Sequence, residues 1–313
     1  MIDALGFDKA NLPSRHVTRT FTRISDTMPR TAQHISRFCI AVAIFGCAVA
    51  ISAAMSRAFA LDSQPTSPGS ASAALPLFKD PYAALREGLA GYRAGNFDAS
   101  VRALQYAAQG GQSLAQWKLG QMYATGDGVP HDDVKAFQYY SQIVTSYDED
   151  VADPRQFPVI ASAFVSVGVY NLHGITNSSV KRNPRRAFQM FHYAATNFGD
   201  ANAQYNLARM YLDGDGVEQD ARQATRWLSN AADKNHMEAQ ALLGNMLFQG
   251  LNGLPRQRHR GLMYLTLARE AAGDRPQNSW IVDLYDQAIR NSDDFDKQAA
   301  RIELSRQLTK RSR

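Results

Sequence analysis

The sequence predicts an all-α protein whose helices form an α-solenoid of helix-turn-helix repeats. Two observations lead to this prediction. Apolar residues recur three and four positions apart, which is the spacing of one face of an α-helix. The same hairpin-sized pattern then recurs several times along the 313 residues, and self-similarity at such a period is typical of repeat proteins.

The clearest unit spans residues 200–235. Ala203, Leu207 and Tyr211 lie four apart and form one stripe of a first helix. The Asp-Gly-Asp-Gly run at 213–216 ends that helix, because glycine accepts the positive φ of a tight reversal. A second helix follows, and its buried stripe is predicted to contain Ala224, Trp227, Leu228, Ala231 and Ala232.

Three other stretches repeat this pattern. Counted from Ala203 as position zero, it has Ala at zero, Leu at +4, a small residue at +5, Tyr at +8 and Gly at +11. The copy that begins at Ala115 matches every position, the copy at Ala239 has Leu in place of Tyr, and a weaker copy begins at Ala163. Gln follows the alanine in all but the weaker copy. The four alanines are 48, 40 and 36 residues apart, so the early units carry insertions.

The turns of two units carry a more specific motif. Residues 123–129 read Y-A-T-G-D-G-V and residues 211–217 read Y-L-D-G-D-G-V. These segments resemble the Sel1-like repeat, a relative of the tetratricopeptide repeat, and the resemblance extends over roughly residues 82–272. It implies an α-solenoid of about five hairpins over residues 81–275, the first of them divergent.

Residues 276–313 are expected to form helices that cap the solenoid. Trp280, Leu284 and Ala288 lie four apart, and this spacing predicts a helix. A second predicted helix contains Ile302, Leu304 and Leu308. Because the last unit of a solenoid needs a polar outer surface, we expect this final helix to be polar and charged.

Residues 1–60 have the features of an export signal. An apolar run ends at Arg57, and Ala58-Phe59-Ala60 has the small-x-small pattern that signal peptidase accepts, so we expect cleavage after Ala60. The alternative is a single membrane anchor, since the run is almost long enough to span a bilayer. The stretch before Met28 is long for a signal, which makes Met28 an alternative translation start.

The Ser/Pro-rich residues 61–80 predict a flexible lead-in, and Asp80 is expected to cap a helix that starts at Pro81. Both cysteines, Cys39 and Cys47, lie within the predicted signal. The exported chain would therefore depend on helix packing without disulfides. Its expected location is the periplasm.

The residue pattern argues against an enzyme. The chain has no nucleophile-elbow, phosphate-loop or zinc-protease motif. Asp213 and Asp215 resemble the start of a calcium loop, but the later carboxylates are missing at the required spacing. Residues 61–313 hold 27 basic and 26 acidic side chains, so charge gives no case for nucleic acid. We expect no cofactor, no metal site and no small-molecule substrate.

What remains is a surface for binding another protein. Offsets +2, +6 and +9 share a face of each first helix that differs from the core face, and resemblance to tetratricopeptide solenoids places that face in a concave groove. It comprises Trp117, Gln121, Ala124, Val165, Val169, Leu172, Tyr205, Arg209, Leu212, Ala241, Asn245 and Phe248. The aromatic and large apolar members predict a partner site, because such patches mark interfaces. The alternative is that superhelical twist buries several of them between repeats.

A cysteine-free Sel1-like solenoid behind a cleavable signal resembles the ExoR family. The resemblance implies a periplasmic negative regulator that binds the periplasmic domain of a membrane sensor histidine kinase. It also implies control of exopolysaccharide production, motility and host interaction. Two other classes stay open: a structural envelope adaptor that binds a cell-wall enzyme or secretion component, and a carbohydrate-active helical toroid. The toroid would need paired carboxylates, and only Glu238 precedes a groove position.

The family resemblance also implies release of the partner under stress, often acid, and degradation by periplasmic proteases. Histidine is the side chain that titrates in the relevant range. We predict His236 as the sensor, because it begins the last repeat at the joint between stacked hairpins and Lys234 lies close in sequence. The competing interpretation is a solvated turn residue, with acid acting elsewhere.

Overall fold

The computed structural model describes residues 78–311, and these residues are all-helical, as predicted. Asp80 caps the first helix through its carboxylate, which accepts the Ala83 N–H at 2.7 Å, and Pro81 occupies the first turn. The helices of this part of the chain are α1 (Pro81–Arg93), α2 (Phe97–Gln109), α3 (Ser113–Thr125), α4 (Asp133–Ser146), α5 (Phe157–His173), α6 (Pro184–Asn197), α7 (Ala201–Asp213), α8 (Ala221–Asp233), α9 (Met237–Gln249), α10 (Arg258–Ala272), α11 (Ser279–Arg290) and α12 (Asp294–Arg311).

Successive helices pair as hairpins, from α1 with α2 to α9 with α10. The second helix of each hairpin also packs against the first helix of the next, and α3 contacts α5 across a unit boundary. Each hairpin therefore covers the apolar face of its neighbour, which is how a solenoid builds a core without long-range contacts.

The core follows the predicted repeat positions. The alanines at position zero (Ala115, Ala163, Ala203 and Ala239) are fully buried. Leu119, Leu207 and Leu243 at +4 are buried too, and full burial of a leucine side chain stabilises the fold by roughly 1.5–3 kcal/mol. At Gly120 and Gly168 the +5 position is small because an aromatic ring of the second helix, Tyr140 or Phe191, lies against it. A Cβ on Gly120 would lie 2.8 Å from the Tyr140 ring.

The Gly-Asp-Gly turn both ends a first helix and joins its unit to the one before. Gly214 has φ 68° and its N–H bonds to the Met210 carbonyl, which closes α7 with a left-handed cap. A Cβ on Gly216 would lie 2.6 Å from the carbonyl carbon of Pro184 in the preceding unit. Between these glycines, Asp215 forms an ion pair with Arg182 of that unit. In the second unit the corresponding Asp127 accepts a hydrogen bond from the Tyr92 hydroxyl.

The glutamine after each position-zero alanine forms a second link between units. Its Nε2 donates to a backbone carbonyl near the end of the previous second helix, at 3.0–3.4 Å. The pairs are Gln116 with Ala108, Gln204 with Ala195, and Gln240 with Ala232. The weaker third unit has Phe164 instead, and this ring packs in an aromatic cluster with Tyr147, Tyr193 and Phe198.

The two helices expected after residue 276 are present as α11 and α12. α11 buries Ile281 and Ala288, and leaves Trp280 39% exposed. On α12, Ile302 is 48% exposed and Leu308 49% exposed.

An ion pair explains the orientation of α12. Arg258 at the start of α10 binds Asp296 at 2.6 Å, and Asp296 is only 8% exposed. This contact turns the stripe of Asp296, Ala300 and Leu304 towards α10, which places Phe295 and Ile302 outside.

No helix within residues 78–311 has both the length and the apolar character that crossing a membrane requires. The predicted signal, the cleavage at Ala60, the alternative start at Met28 and most of the predicted lead-in lie outside the described residues.

Candidate partner-binding groove

The predicted groove residues lie on α3, α5, α7 and α9, and the structure separates them into exposed and buried sets. Arg209 is exposed. Half-exposed positions are Gln121, Ala124, Val165, Val169, Leu172, Tyr205, Leu212 and Asn245. The remaining three, Trp117, Ala241 and Phe248, are buried and offer no surface to a partner.

The two buried aromatic residues serve contacts within the solenoid. Trp117 donates its indole N–H to Ser162 Oγ at 3.0 Å and so joins α3 to α5. Phe248 is 1% exposed, and the Arg258 guanidinium lies 4.9 Å from its ring centroid. The first helix of the next hairpin contacts Trp117, whereas Phe248 packs against the second helix of its own hairpin. Burial of these groove positions is the alternative that the sequence left open.

Four apolar groove positions remain partly accessible. Val165, Val169 and Leu172 follow each other at spacings of four and three on α5, and Leu212 ends the corresponding face of α7. We call these four residues the groove strip. All four are half-buried, so a partner that covered them would remove further apolar surface from water.

Charged side chains border the groove strip on α7. Arg209 lies 3.8 Å from Asp213, and both side chains are more than half exposed. An exposed pair at this distance contributes at most about 1 kcal/mol, so the Arg209 guanidinium can exchange it for a contact with a partner.

His173 ends α5 beside the groove strip and was missed by the sequence reasoning. Burial lowers its pKa, and the nearby charges of Arg182 and Arg209 lower it further, whereas Asp215 opposes the shift. These residues come from three separate elements.

His236 lies at the predicted joint and caps α9. Its Nδ1 accepts the Ala239 N–H at 3.2 Å, and its Nε2 lies 3.2 Å from Asn202 Oδ1 on α7. The ring stacks on Tyr205 at 4.8 Å between centroids. The side chain is buried, so the interpretation as a solvated turn residue is wrong. Its role as a pH sensor stays a prediction.

A buried carboxylate oxygen faces the same ring. Glu238 Oε2 lies 3.3 Å from His236 Nδ1 and accepts no hydrogen bond. Lys234 instead donates to the Gly199 carbonyl. Sequence reasoning missed Asn202 and Tyr205 as neighbours of His236, because they belong to the preceding unit and meet it only through stacking.

Comparison with known proteins agrees with this architecture. A family model described as "Sel1 repeat" matches residues 113–143, 163–197, 201–236 and 238–272, which includes the weaker third unit. A solved Sel1 repeat protein from Oxalobacter formigenes covers 68% of this chain and 89% of its own, with a TM-score of 0.50 and 22% identity. That likeness supports the fold.

Two curated relatives are similar over most of their length. The chain is 35% identical over 222 residues to the exopolysaccharide production negative regulator of Rhizobium meliloti (strain 1021). It is 34% identical over 221 residues to the protein of the same name from Rhizobium leguminosarum bv. viciae. Each alignment covers 70% of this chain and 79% of the relative. The chain is therefore a Sel1 repeat protein and belongs to the ExoR family of exopolysaccharide regulators.

Proposed function

We propose that this protein is a periplasmic negative regulator that binds the periplasmic domain of a membrane sensor histidine kinase. In this role it would control exopolysaccharide production, motility and host interaction. The observation that carries the proposal is the 35% identity to a relative named as a negative regulator of exopolysaccharide production, over 79% of that relative's length.

The geometry supports binding rather than catalysis as the means of regulation. Sel1 repeats are protein-interaction modules, and the groove strip supplies half-exposed apolar surface on adjacent first helices. Burial of such surface contributes roughly 25 cal/mol per Å² of apolar area, before the costs of association are subtracted. Arg209 at its border would add orientation through charge.

A matched pair of substitutions tests both the role and the groove. Val169→Glu places a charge in the middle of the groove strip. Val144→Glu makes the same change at another half-buried valine, on α4 in the second layer of helices. Each variant is returned to a strain that lacks the protein, and secreted exopolysaccharide is quantified. We expect the strain without the protein to overproduce, Val144→Glu to restore repression, and Val169→Glu to fail.

Binding is measured directly with purified periplasmic domains of the cell's sensor kinases. We expect one of them to bind the wild type, and Val169→Glu to weaken that binding at least tenfold, or about 1.4 kcal/mol. Unchanged exopolysaccharide in the deletion strain would overturn the regulatory role. Equal effects of the two variants would exclude the groove strip, and capture of a cell-wall enzyme in place of a kinase would favour an envelope adaptor.

A further inference from the structure

α12 carries a stripe whose large apolar side chains are exposed. Phe295, Ala299, Ile302 and Arg306 are spaced by four, three and four, which places them within about 60° of each other around the helix. Phe295 is 77% exposed, Ile302 is 48% exposed, and the Arg306 side chain is 73% exposed. The opposite face holds the buried Asp296 and Ala300 and packs on α10.

This stripe departs from what the end of a solenoid requires. Terminal repeats normally present a polar outer face, because no further unit covers them. A phenylalanine exposed by more than three quarters, with an isoleucine one heptad later, is instead the pattern of a helix that pairs with another helix.

We propose that the α12 stripe pairs antiparallel with the same stripe of a second copy of this chain, which makes the protein a homodimer. With the two-fold axis near residue 300, Ile302 of one copy meets Ala299 of the other, so a large side chain faces a small one. The Phe295 ring then meets Arg306 of the second copy, which is a favourable cation–π arrangement. The two-fold rotation therefore brings every residue of the stripe next to a complementary residue of the second copy, as a closed two-fold interface requires.

The charges of α12 also favour the antiparallel arrangement. Its start carries Asp293 and Asp294, whereas Arg306 lies in its second half. Antiparallel pairing places each acidic start beside a basic half of the second copy. Parallel pairing would place like charges side by side and would align the two helix dipoles unfavourably.

The interface is expected to be weak. The stripe extends over eleven residue steps, which is about 16 Å of helix. A single helix pair of this length falls at the small end of specific interfaces, so the dimer should depend on protein concentration. This proposal does not depend on which partner occupies the groove strip, because the stripe lies on a different helix.

The test is sedimentation equilibrium of the chain purified as the cell produces it, over a range of concentrations. Leu308 supplies a matched control, because it lies on the same helix with 49% exposure but outside the stripe. We expect the mass of the wild type and of Leu308→Glu to rise towards that of a dimer. We expect Ile302→Glu to raise the dimer dissociation constant at least tenfold. Circular dichroism checks that both variants stay folded.

Orientation is tested by disulfide formation after Cys39→Ser and Cys47→Ser remove the chain's own thiols. We expect a mixture of Ala299→Cys and Ile302→Cys chains to form the mixed disulfide faster than either chain links to itself. Faster self-linking at residue 299 would overturn the antiparallel arrangement. A wild type that stays monomeric at all concentrations, or an Ile302→Glu variant that dimerises normally, would overturn the dimer. Loss of kinase binding by Ile302→Glu with a monomeric wild type would assign the stripe to the kinase instead.

Discussion

His236 performs with an imidazole the task that Asp200 performs with a carboxylate one repeat earlier. Asp200 accepts the Ala203 N–H at 2.8 Å, and His236 accepts the Ala239 N–H through Nδ1 at 3.2 Å. A carboxylate keeps its acceptor well below neutral pH, whereas Nδ1 is an acceptor only while it carries no proton. Once protonated, it would donate to Glu238 Oε2, at 3.3 Å, and leave the first turn of α9 without its cap.

We therefore expect acid to weaken the joint between the units that begin at Ala203 and Ala239. The change to make is His236→Asp, which copies the cap of the previous unit. Between about pH 7 and pH 5.5, on either side of the usual histidine pKa, the protease half-life of the wild type should fall. The protease half-life of His236→Asp should change little over the same pH range. His192→Gln, at an exposed position on α6, is the control and should respond as the wild type does. A full acid response in His236→Asp would contradict the capping mechanism.

His173 gives a second expected pH effect, with a sign that follows from its lowered pKa. The folded chain binds fewer protons at this site than the unfolded chain does, between the lowered pKa and the ordinary value near 6.5. Unfolding is then favoured as pH falls below about 6.5. His173→Gln should flatten the pH dependence of the free energy of unfolding in this window, as measured by urea titration at several pH values. A steeper dependence in the variant would show that the ring gains protons on folding.

At the scale of the element, the two glycines of the Gly-Asp-Gly turn are needed for different reasons. Gly214 needs a positive φ but has open space around it, with the nearest side-chain atom, Gln219 Cβ, 3.5 Å from an added Cβ. Gly216 also has a positive φ, and in addition the backbone of Pro184 leaves no room for a side chain. The first glycine therefore ends a helix, and the second allows two units to approach.

Alanine substitutions at Gly214 and Gly216 should distinguish the cost of a positive φ from the added cost of a steric clash. Gly214→Ala should lower the free energy of unfolding by about 1–2 kcal/mol, the cost of the left-handed conformation. Gly216→Ala should cost about 1–3 kcal/mol more, because the added methyl group overpacks the unit boundary. Urea unfolding measures both variants under identical conditions. Equal decreases in the free energy of unfolding of the two variants would mean that the close contact of Gly216 with Pro184 does not hold the units together.

The sequence was sufficient to predict which segments form helices, but not which face of every helix is buried. Ala203, Leu207 and their repeats identify the core, because burial in a hairpin is local and periodic. Trp117 and Phe248 lie off this period and yet are buried. Trp117 contacts Ser162 of the next hairpin, and Phe248 packs against Arg258 on the second helix of its own hairpin. The sequence predicted the helix that contains Ile302 but not which of its faces is buried, because apolar spacing contains no information about the ion pair of Arg258 with Asp296.

At the scale of the whole molecule, the expected export signal determines where the solenoid works. Residues 28–75 fused to a reporter that is active only outside the cytoplasm should give activity. The product should be shortened after Ala60, as measured by mass spectrometry of its new amino terminus. A fusion with the small residues replaced, Ala58→Leu and Ala60→Leu, is the control and should stay uncut. A wild-type fusion of full length that remains in the membrane would identify the apolar run as an anchor.

The contacts between units also determine when each part of the chain can become stable during synthesis. Tyr92 and Asp127 are 35 residues apart, Arg182 and Asp215 are 33 apart, and Trp117 and Ser162 are 45 apart. Each of these three links joins a unit to its immediate neighbour. Since proteins are made amino end first, each hairpin emerges when the neighbour that it docks on is already present. Nascent chains should therefore become resistant to proteolysis one unit at a time, and the exposed apolar surface at any moment is limited to a single hairpin face.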